Sequence, residues 1–338
     1  MKKRVLYYDV LNILSAFCVI AMHCNSLVYG YNDSFAWRQS LFVETFAYWP
    51  VPIFLMISGA TLVGYRDRYT TSEFFKKRVL KTTIPFVIWS LISAFANKAD
   101  FSELGIRGVL NGIVTCSFEE VYWFFPMLFS MYLAMPVISL LKDNRKILWY
   151  MVGTAFILNS VLPIVFRWLG LTWNSSLSAV TVSGFLIFPI LGYLLSIEEI
   201  KKQKRIVLYV AAFGCAAFRF GMTVVLSRRD GALNTTYFDY LGFYSIILSA
   251  GVFVFAKNSR LIEAISKKEK IVNVIKIISG CSFGVYLLHM QLINKLLVEV
   301  FPKDSLEWRI VGPVLVYILA VAIVFVIKKI PLVKKIVP

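Results

Sequence analysis

The sequence predicts an all-α polytopic membrane protein, a bundle of about ten transmembrane helices, and three observations predict it. Its 338 residues are 59% hydrophobic and only 16% charged, with a mean hydropathy of +0.72; an ordinary soluble domain is about 45–50% apolar and about 25% charged. Ten apolar stretches recur, most near the roughly 20 residues a helix needs to cross a bilayer. Between them, basic residues collect on alternate connections.

The stretches lie at about 8–29, 44–64, 82–97, 122–141, 147–168, 178–196, 206–226, 238–256, 271–294 and 310–328. The first follows Met1, Lys2, Lys3 and Arg4, lacks a small-residue cleavage site and carries Asp9 and His23, so it reads as a retained helix and not a removed leader. The third starts late because Pro85 falls in its first turn, where proline is tolerated. The ninth has Lys276 near its start. With the N-terminus in the cytoplasm, every inner connection holds three or more Lys or Arg, and together they hold 26 of the 36 in the chain. This is the positive-inside pattern, with both termini cytoplasmic. The net charge of +17 is then topological and points to membrane lipid, not nucleic acid. The longest connections are near 98–121 and 295–309, and no linker or repeat divides the chain, so residues 1–338 read as one transmembrane domain. Five cysteines without C-x-x-C spacing read as small buried side chains, and no metal site is expected.

Polar groups at membrane depth are costly, which makes them candidates for function. The 14 residues from Asp9 to His23 rise about 21 Å along a helix, and Asp9, Asn12 and His23 share one stripe. In "SGCSFGVYLLHMQ", His289 reaches a similar depth on the ninth stretch, with Ser282 on the same face, and Gly280 and Gly284 allow another helix to approach. Two histidines at similar depth point to one shared site. The competing reading is an interhelical hydrogen bond worth about 1 kcal/mol. Ser58 and Gly59 end the second stretch near a strongly basic connection that includes Lys77, Arg78 and Lys81. That connection is either a topology signal facing anionic lipid or a polyphosphate-binding surface. Tyr122 and Trp123 fit an interfacial aromatic belt or a substrate wall. Arg219, inside the seventh stretch, either meets a polar acceptor or pairs with a carboxylate such as Glu44.

These segments, in this order, resemble the acyltransferase-3 family of bacterial integral membrane proteins, which O-acylate glycans. "YYDVLNILSAFCVIAMH" is similar to the family's opening, with Asp9 and the histidine regarded as catalytic, His23. "VPIFLMISG" matches its Ser-Gly helix end, at Ser58 and Gly59. "FFKKRVLKTTIPFVIW" resembles the basic stretch before a proline, at Arg78, Lys81 and Pro85. "VYWFFPMLFSMYLAMP" resembles the Trp-Phe motif and its later Tyr and Pro, at Trp123, Phe124, Tyr132 and Pro136. The late Ser-Phe-Gly-x-Tyr-x-x-His motif falls on Ser282, Phe283, Gly284, Tyr286 and His289. Three positions depart from the family pattern: Asn12 stands where Arg is usual, Thr82 replaces the second Arg of an R-x-x-x-R motif, and Tyr122 replaces a frequent His.

The resemblance implies a bacterial cytoplasmic-membrane enzyme, an O-acyltransferase taking an acyl group, most often acetyl, from acyl-CoA to a hydroxyl of a cell-envelope glycan or glycoside. On that reading His23 and His289 are catalytic. Arg78, Lys81, Lys77, Asp9, Asn12 and Ser58 serve the donor, with Asp9 organising its entrance beside Arg78 or Lys81. Trp123, Tyr122, Arg219, Glu44 and Tyr286 meet the acceptor. The alternative is a polytopic transporter or flippase, for which broken midplane helices or paired repeats would be expected.

Overall fold

Among the described residues, every apolar stretch contributes helix, in whole or in part. The structure, a computed structural model, describes residues 4–179, 181–182, 184–297, 300–302, 304–331 and 333–338. Lys2 and Lys3 of the N-terminal basic cluster, and two residues of the sixth stretch, lie outside them. Among the described residues there is no strand. In chain order the helices are α1 (Leu6–Cys24), α2 (Phe35–Phe46), α3 (Pro50–Leu62), α4 (Thr71–Arg78), α5 (Ile84–Ala96), α6 (Phe101–Val114) and α7 (Phe124–Ile138). They continue as α8 (Arg145–Ala155), α9 (Leu162–Trp168), α10 (Ile187–Ile197), α11 (Lys202–Asp230), α12 (Phe243–Lys257), α13 (Arg260–Ser266), α14 (Glu269–Gln291) and α15 (Leu306–Lys329).

Among the described residues, eight helices or continuous helical runs are long and apolar enough to cross a membrane. α12 and α13, bent by 41°, make a ninth if they act as one span, and the apolar helix Gly184–Ile197 is shorter. A count of ten needs both of these to cross.

Two elements differ from the sequence expectation. The third span starts at Thr71 and not near residue 82, because a π-helical turn, Val79–Thr83, joins α4 to α5. Proline lacks an N–H and its ring collides with the carbonyl four residues back; widening the turn just before Pro85 accommodates both, and a second π turn, Phe156–Val161, precedes Pro163 in the same way. The expected loop near 98–121 contains α6, capped by Asp100, whose side chain accepts from the backbone N–H groups of Ser102 and Glu103. Its Ile106, Leu110 and Val114 are exposed at four-residue spacing, the pattern of a helix lying along an apolar surface.

α1 packs against α3, α12, α14 and α15. α3 and α10 touch backbone to backbone: a Cβ on Gly59 would lie 1.9 Å from the Pro189 carbonyl oxygen, and one on Gly192 would lie 2.3 Å from that of Met56. Gly284 admits α15, since a Cβ there would meet the Val324 side chain at 2.7 Å. α1 and α14 run parallel. Asp9, near the N-terminus of α1, accepts from Ser279 Oγ at the middle of α14 at 2.8 Å, and the rings of His23 and His289 stand 5.2 Å apart near the C-terminal ends of both helices.

Candidate active site

The parallel α1–α14 pair joins two cavities. The first, about 360 Å³, is lined by Arg4, Asp9, Asn12, Ser58, Arg78, Tyr132, Ser282 and Tyr286, among others. Asp9, almost fully buried, accepts from Arg4 Nε at 2.8 Å and Arg4 Nη2 at 2.5 Å. Arg4 therefore neutralises Asp9; of the two cations expected beside Asp9 at the donor entrance, Arg78 lines the same cavity and Lys81 does not. Arg78 stays available: its guanidinium lies over the Phe74 and Tyr132 rings at 5.6 and 5.5 Å, and its buried Nε has no hydrogen-bond partner among the described residues. A charged donor with an open hydrogen-bond position on a cavity wall suits a phosphate or another anion.

Lys77 and Lys81 do not line this cavity. Lys77 pairs with Glu73 at 2.8 Å and sits over the Tyr69 ring at 3.8 Å, and Lys81, in the π turn, is exposed. An adjoining cavity of about 630 Å³ shares Arg4, Asp9 and Asn12 and extends to Asp67, Arg68 and Lys142. The hydrogen bond from Lys142 to the Asp67 carboxylate holds the lysine ammonium above its usual range. This is the basic end of the bundle.

A third cavity, about 300 Å³, is lined by His23, Glu44, Tyr48, Trp123, Tyr240 and Tyr286 with six further residues. Tyr48 and Tyr240 stack at 4.0 Å and 5°, and Trp123 stacks on Tyr240 at 5.7 Å. Flat aromatic faces beside a carboxylate suit a ligand with apolar C–H faces and hydroxyl edges. Arg219 stands behind this wall and is not part of it. It donates to the backbone carbonyls of Tyr237 (2.6 Å) and Glu44 (3.2 Å), lies 4.0 Å from the Glu44 carboxylate, and caps the Tyr48 ring at 3.5 Å. Tyr122 is fully buried outside the cavity, its hydroxyl donating to Leu287 O at 2.7 Å.

The two histidines differ. His23 lines the third cavity and makes no side-chain hydrogen bond among the described residues. His289 is fully buried and is not in the wall. Its Nδ1 lies 2.6 Å from the Tyr286 carbonyl oxygen. A carbonyl only accepts, so Nδ1 carries the hydrogen and Nε2 keeps its lone pair. That Nε2 has no hydrogen-bond partner among the described residues. The arrangement offers one imidazole to a ligand and a second, in a fixed tautomer, beside the first.

Sequence reasoning missed Arg4, Ser279, Tyr48 and Tyr240 as wall residues. Arg4 was read as part of a topology signal. The tyrosine-dense "NTTYFDYLGFY" at 234–244 was the available signal for Tyr240.

A family model described as an acyltransferase domain, Acyl_transf_3, matches residues 5–328. No curated protein and no solved structure gives a match.

Proposed function

Because the chain belongs to the acyltransferase-3 family and is a multi-pass membrane acyltransferase, we propose that it moves an acetyl group from cytoplasmic acetyl-CoA to a hydroxyl of a cell-envelope glycan or glycoside, in the bacterial cytoplasmic membrane. The observation that carries this reading is the pair of rings 5.2 Å apart, one facing a cavity walled by Tyr48, Tyr240 and Trp123.

In this reading the phosphates of the donor bind at the basic end, where Arg4 and Arg78 line the inner cavity. The pantetheine arm carries the thioester toward His23, about 21 Å along α1 from Asp9. The glycan occupies the aromatic cavity, with Glu44 accepting from a sugar hydroxyl. His23 removes the proton from the reacting hydroxyl as its oxygen attacks the thioester carbon. The C–S bond breaks, the acyl–oxygen bond replaces it, and the CoA thiolate leaves with the proton. His289 is the positioning partner: its bare Nε2 can accept the second N–H of a protonated His23, which stabilises the charge that develops there.

The test uses the full chain in lipid nanodiscs with acetyl-CoA, following thiol release with and without bacterial envelope glycans. Release that grows with glycan and falls at least a hundredfold in His23→Ala, with the fold intact, supports the assignment; general-base catalysis contributes about 10²–10⁴. Full activity in His23→Ala ends it. If acetyl-CoA neither binds nor turns over across a broad acceptor panel, the transport reading takes its place.

A further inference from the structure

Among the described residues, Tyr286 is the only one that lines both the Arg78 cavity and the His23 cavity. Its hydroxyl donates to the backbone carbonyl of Val121, itself in the wall of the His23 cavity. Its ring is wedged between Phe124 (5.7 Å), Phe125 (5.9 Å) and His289 (5.6 Å). The segment that receives this hydroxyl, the 3-10 turn Glu120–Trp123, is tied to α14 a second time by Tyr122, which donates to Leu287 O. The ring is thus a partition clamped at its rim by one hydrogen bond.

We propose that Tyr286 is a gate between the donor and acceptor cavities, and that its ring limits the size of the acyl group that passes. The proposal rests on the donor and acceptor assignment made above, but the partition itself is a statement about access. A thioester bound from the Arg78 side cannot meet His23 while the ring is in place. Breaking the bond to Val121 O frees the ring to swing about its Cα–Cβ and Cβ–Cγ bonds. The backbone does not need to move, so the Tyr286 carbonyl keeps its hold on His289 Nδ1 and the tautomer of that histidine survives opening. A closed partition also keeps water in the glycan cavity away from a waiting thioester, and so favours transfer over hydrolysis.

Tyr286→Phe removes the latch and keeps the ring; Tyr286→Ala removes the partition. Two measurements keep the gate separate from the chemistry. The first needs no donor. Ser58→Cys places a thiol in the Arg78 cavity, and a membrane-impermeant thiol reagent is applied to each face of sealed proteoliposomes in turn, with the chain lacking Ser58→Cys as the background. The expected result is labelling from the basic face only when Tyr286 is present, and labelling from both faces, at least tenfold faster from the far face, in Tyr286→Ala. Unchanged far-face labelling in Tyr286→Ala overturns the gate, whatever the donor is.

The second compares acetyl-, butyryl- and hexanoyl-CoA. Tyr286→Ala is expected to raise acceptor-independent CoA release about tenfold and to bring hexanoyl turnover within a fewfold of acetyl. Tyr286→Phe is expected to raise acceptor-independent release with the acyl preference unchanged. An unaltered chain-length preference in a Tyr286→Ala protein that binds acetyl-CoA normally overturns the size limit. Failure of the wild type to bind any acyl-CoA, with far-face labelling still dependent on Tyr286, overturns the acyltransfer reading and leaves the gate standing.

Discussion

Arg219 gives the sharpest prediction about what holds the aromatic cavity in shape. Its guanidinium performs three tasks, and they can be separated. It donates to Glu44 O, a carbonyl in the last turn of α2, where helix carbonyls run out of intrahelical partners. It donates to Tyr237 O in the connection that carries Tyr240. It also faces the Glu44 carboxylate at 4.0 Å and the Tyr48 ring at 3.5 Å. Arg219→Met keeps most of the volume and removes all three. Each carbonyl left buried without a donor costs about 1 kcal/mol at the low end of the usual range. Losing the desolvated contact with Tyr48 costs about 1 kcal/mol more. The Glu44 carboxylate loses only the longest contact of the set, at 4.0 Å.

The sum is about 3 kcal/mol, roughly a hundredfold in the folded population. Glu44→Gln, by contrast, leaves both carbonyl bonds in place and weakens only the longest contact, so about 0.6 kcal/mol is expected, the average for an interhelical hydrogen bond in a membrane. Reversible unfolding in mixed lipid–detergent micelles, monitored by tryptophan fluorescence, measures both. The double variant should be no worse than Arg219→Met alone, because it strands no charge. If Glu44→Gln costs as much as Arg219→Met, the ion pair and not the carbonyl bonds holds the wall, and the reasoning fails.

Arg78→Gln should raise the KM for acetyl-CoA roughly 10- to 100-fold, matching the about 1.5–3 kcal/mol of a hydrogen bond to a charged group, while stability falls by only about 1 kcal/mol, the loss of the contacts with the Phe74 and Tyr132 rings. Lys77→Gln, by the same steady-state assay, should change KM less than threefold; equal effects would remove Arg78 from the donor site. Gly59→Ala should abolish the folded monodisperse peak in fluorescence size-exclusion chromatography, since its Cβ would overlap the Pro189 backbone, whereas Gly214→Ala, with nothing within 4 Å, should elute as wild type. Leu110→Cys carrying a polarity-sensitive fluorophore should emit at a lipid-like wavelength in nanodiscs; a water-like spectrum would take α6 off the membrane surface.

The sequence made some of this legible for physical reasons. The apolar stretches declared an all-helical membrane bundle because length and hydropathy are local properties, although among the described residues only eight runs are long and apolar enough to cross alone. Two histidines stood out because polar groups are rare at depth, and their meeting fits the similar depth that the sequence assigns to them on two parallel helices. The partners of the polar groups were not legible. Arg4 and Arg78 look alike in the chain, yet only geometry reveals that one is consumed by Asp9 and the other keeps an open hydrogen-bond position. The π turn was hidden because Pro85 reads equally as a first-turn proline or as one accommodated inside a longer helix. α6 was hidden because 14 residues with a one-sided apolar stripe fall below the length of a span.

The late motif shows how order along a helix becomes division of labour around it. At 3.6 residues per turn, positions 282, 286 and 289 fall on one face of α14, while 284 lies about 160° away from 282. The structure follows that geometry. Ser282 lines the inner cavity, Tyr286 divides the two cavities and His289 stands beside His23, all along the face turned to α1 and the cavities. Gly284, on the other side, admits α15. The motif therefore combines two unrelated demands, a sequence of polar groups rising along a path and a small residue behind them that lets a neighbouring helix hold that path steady. Substitutions at 286 and 289 should change turnover in protein that still folds. A larger residue at 284 should instead lower the yield of folded protein while leaving turnover per folded molecule unchanged, and a Gly284→Leu protein that folds at wild-type yield would show that α15 is not packed there as described.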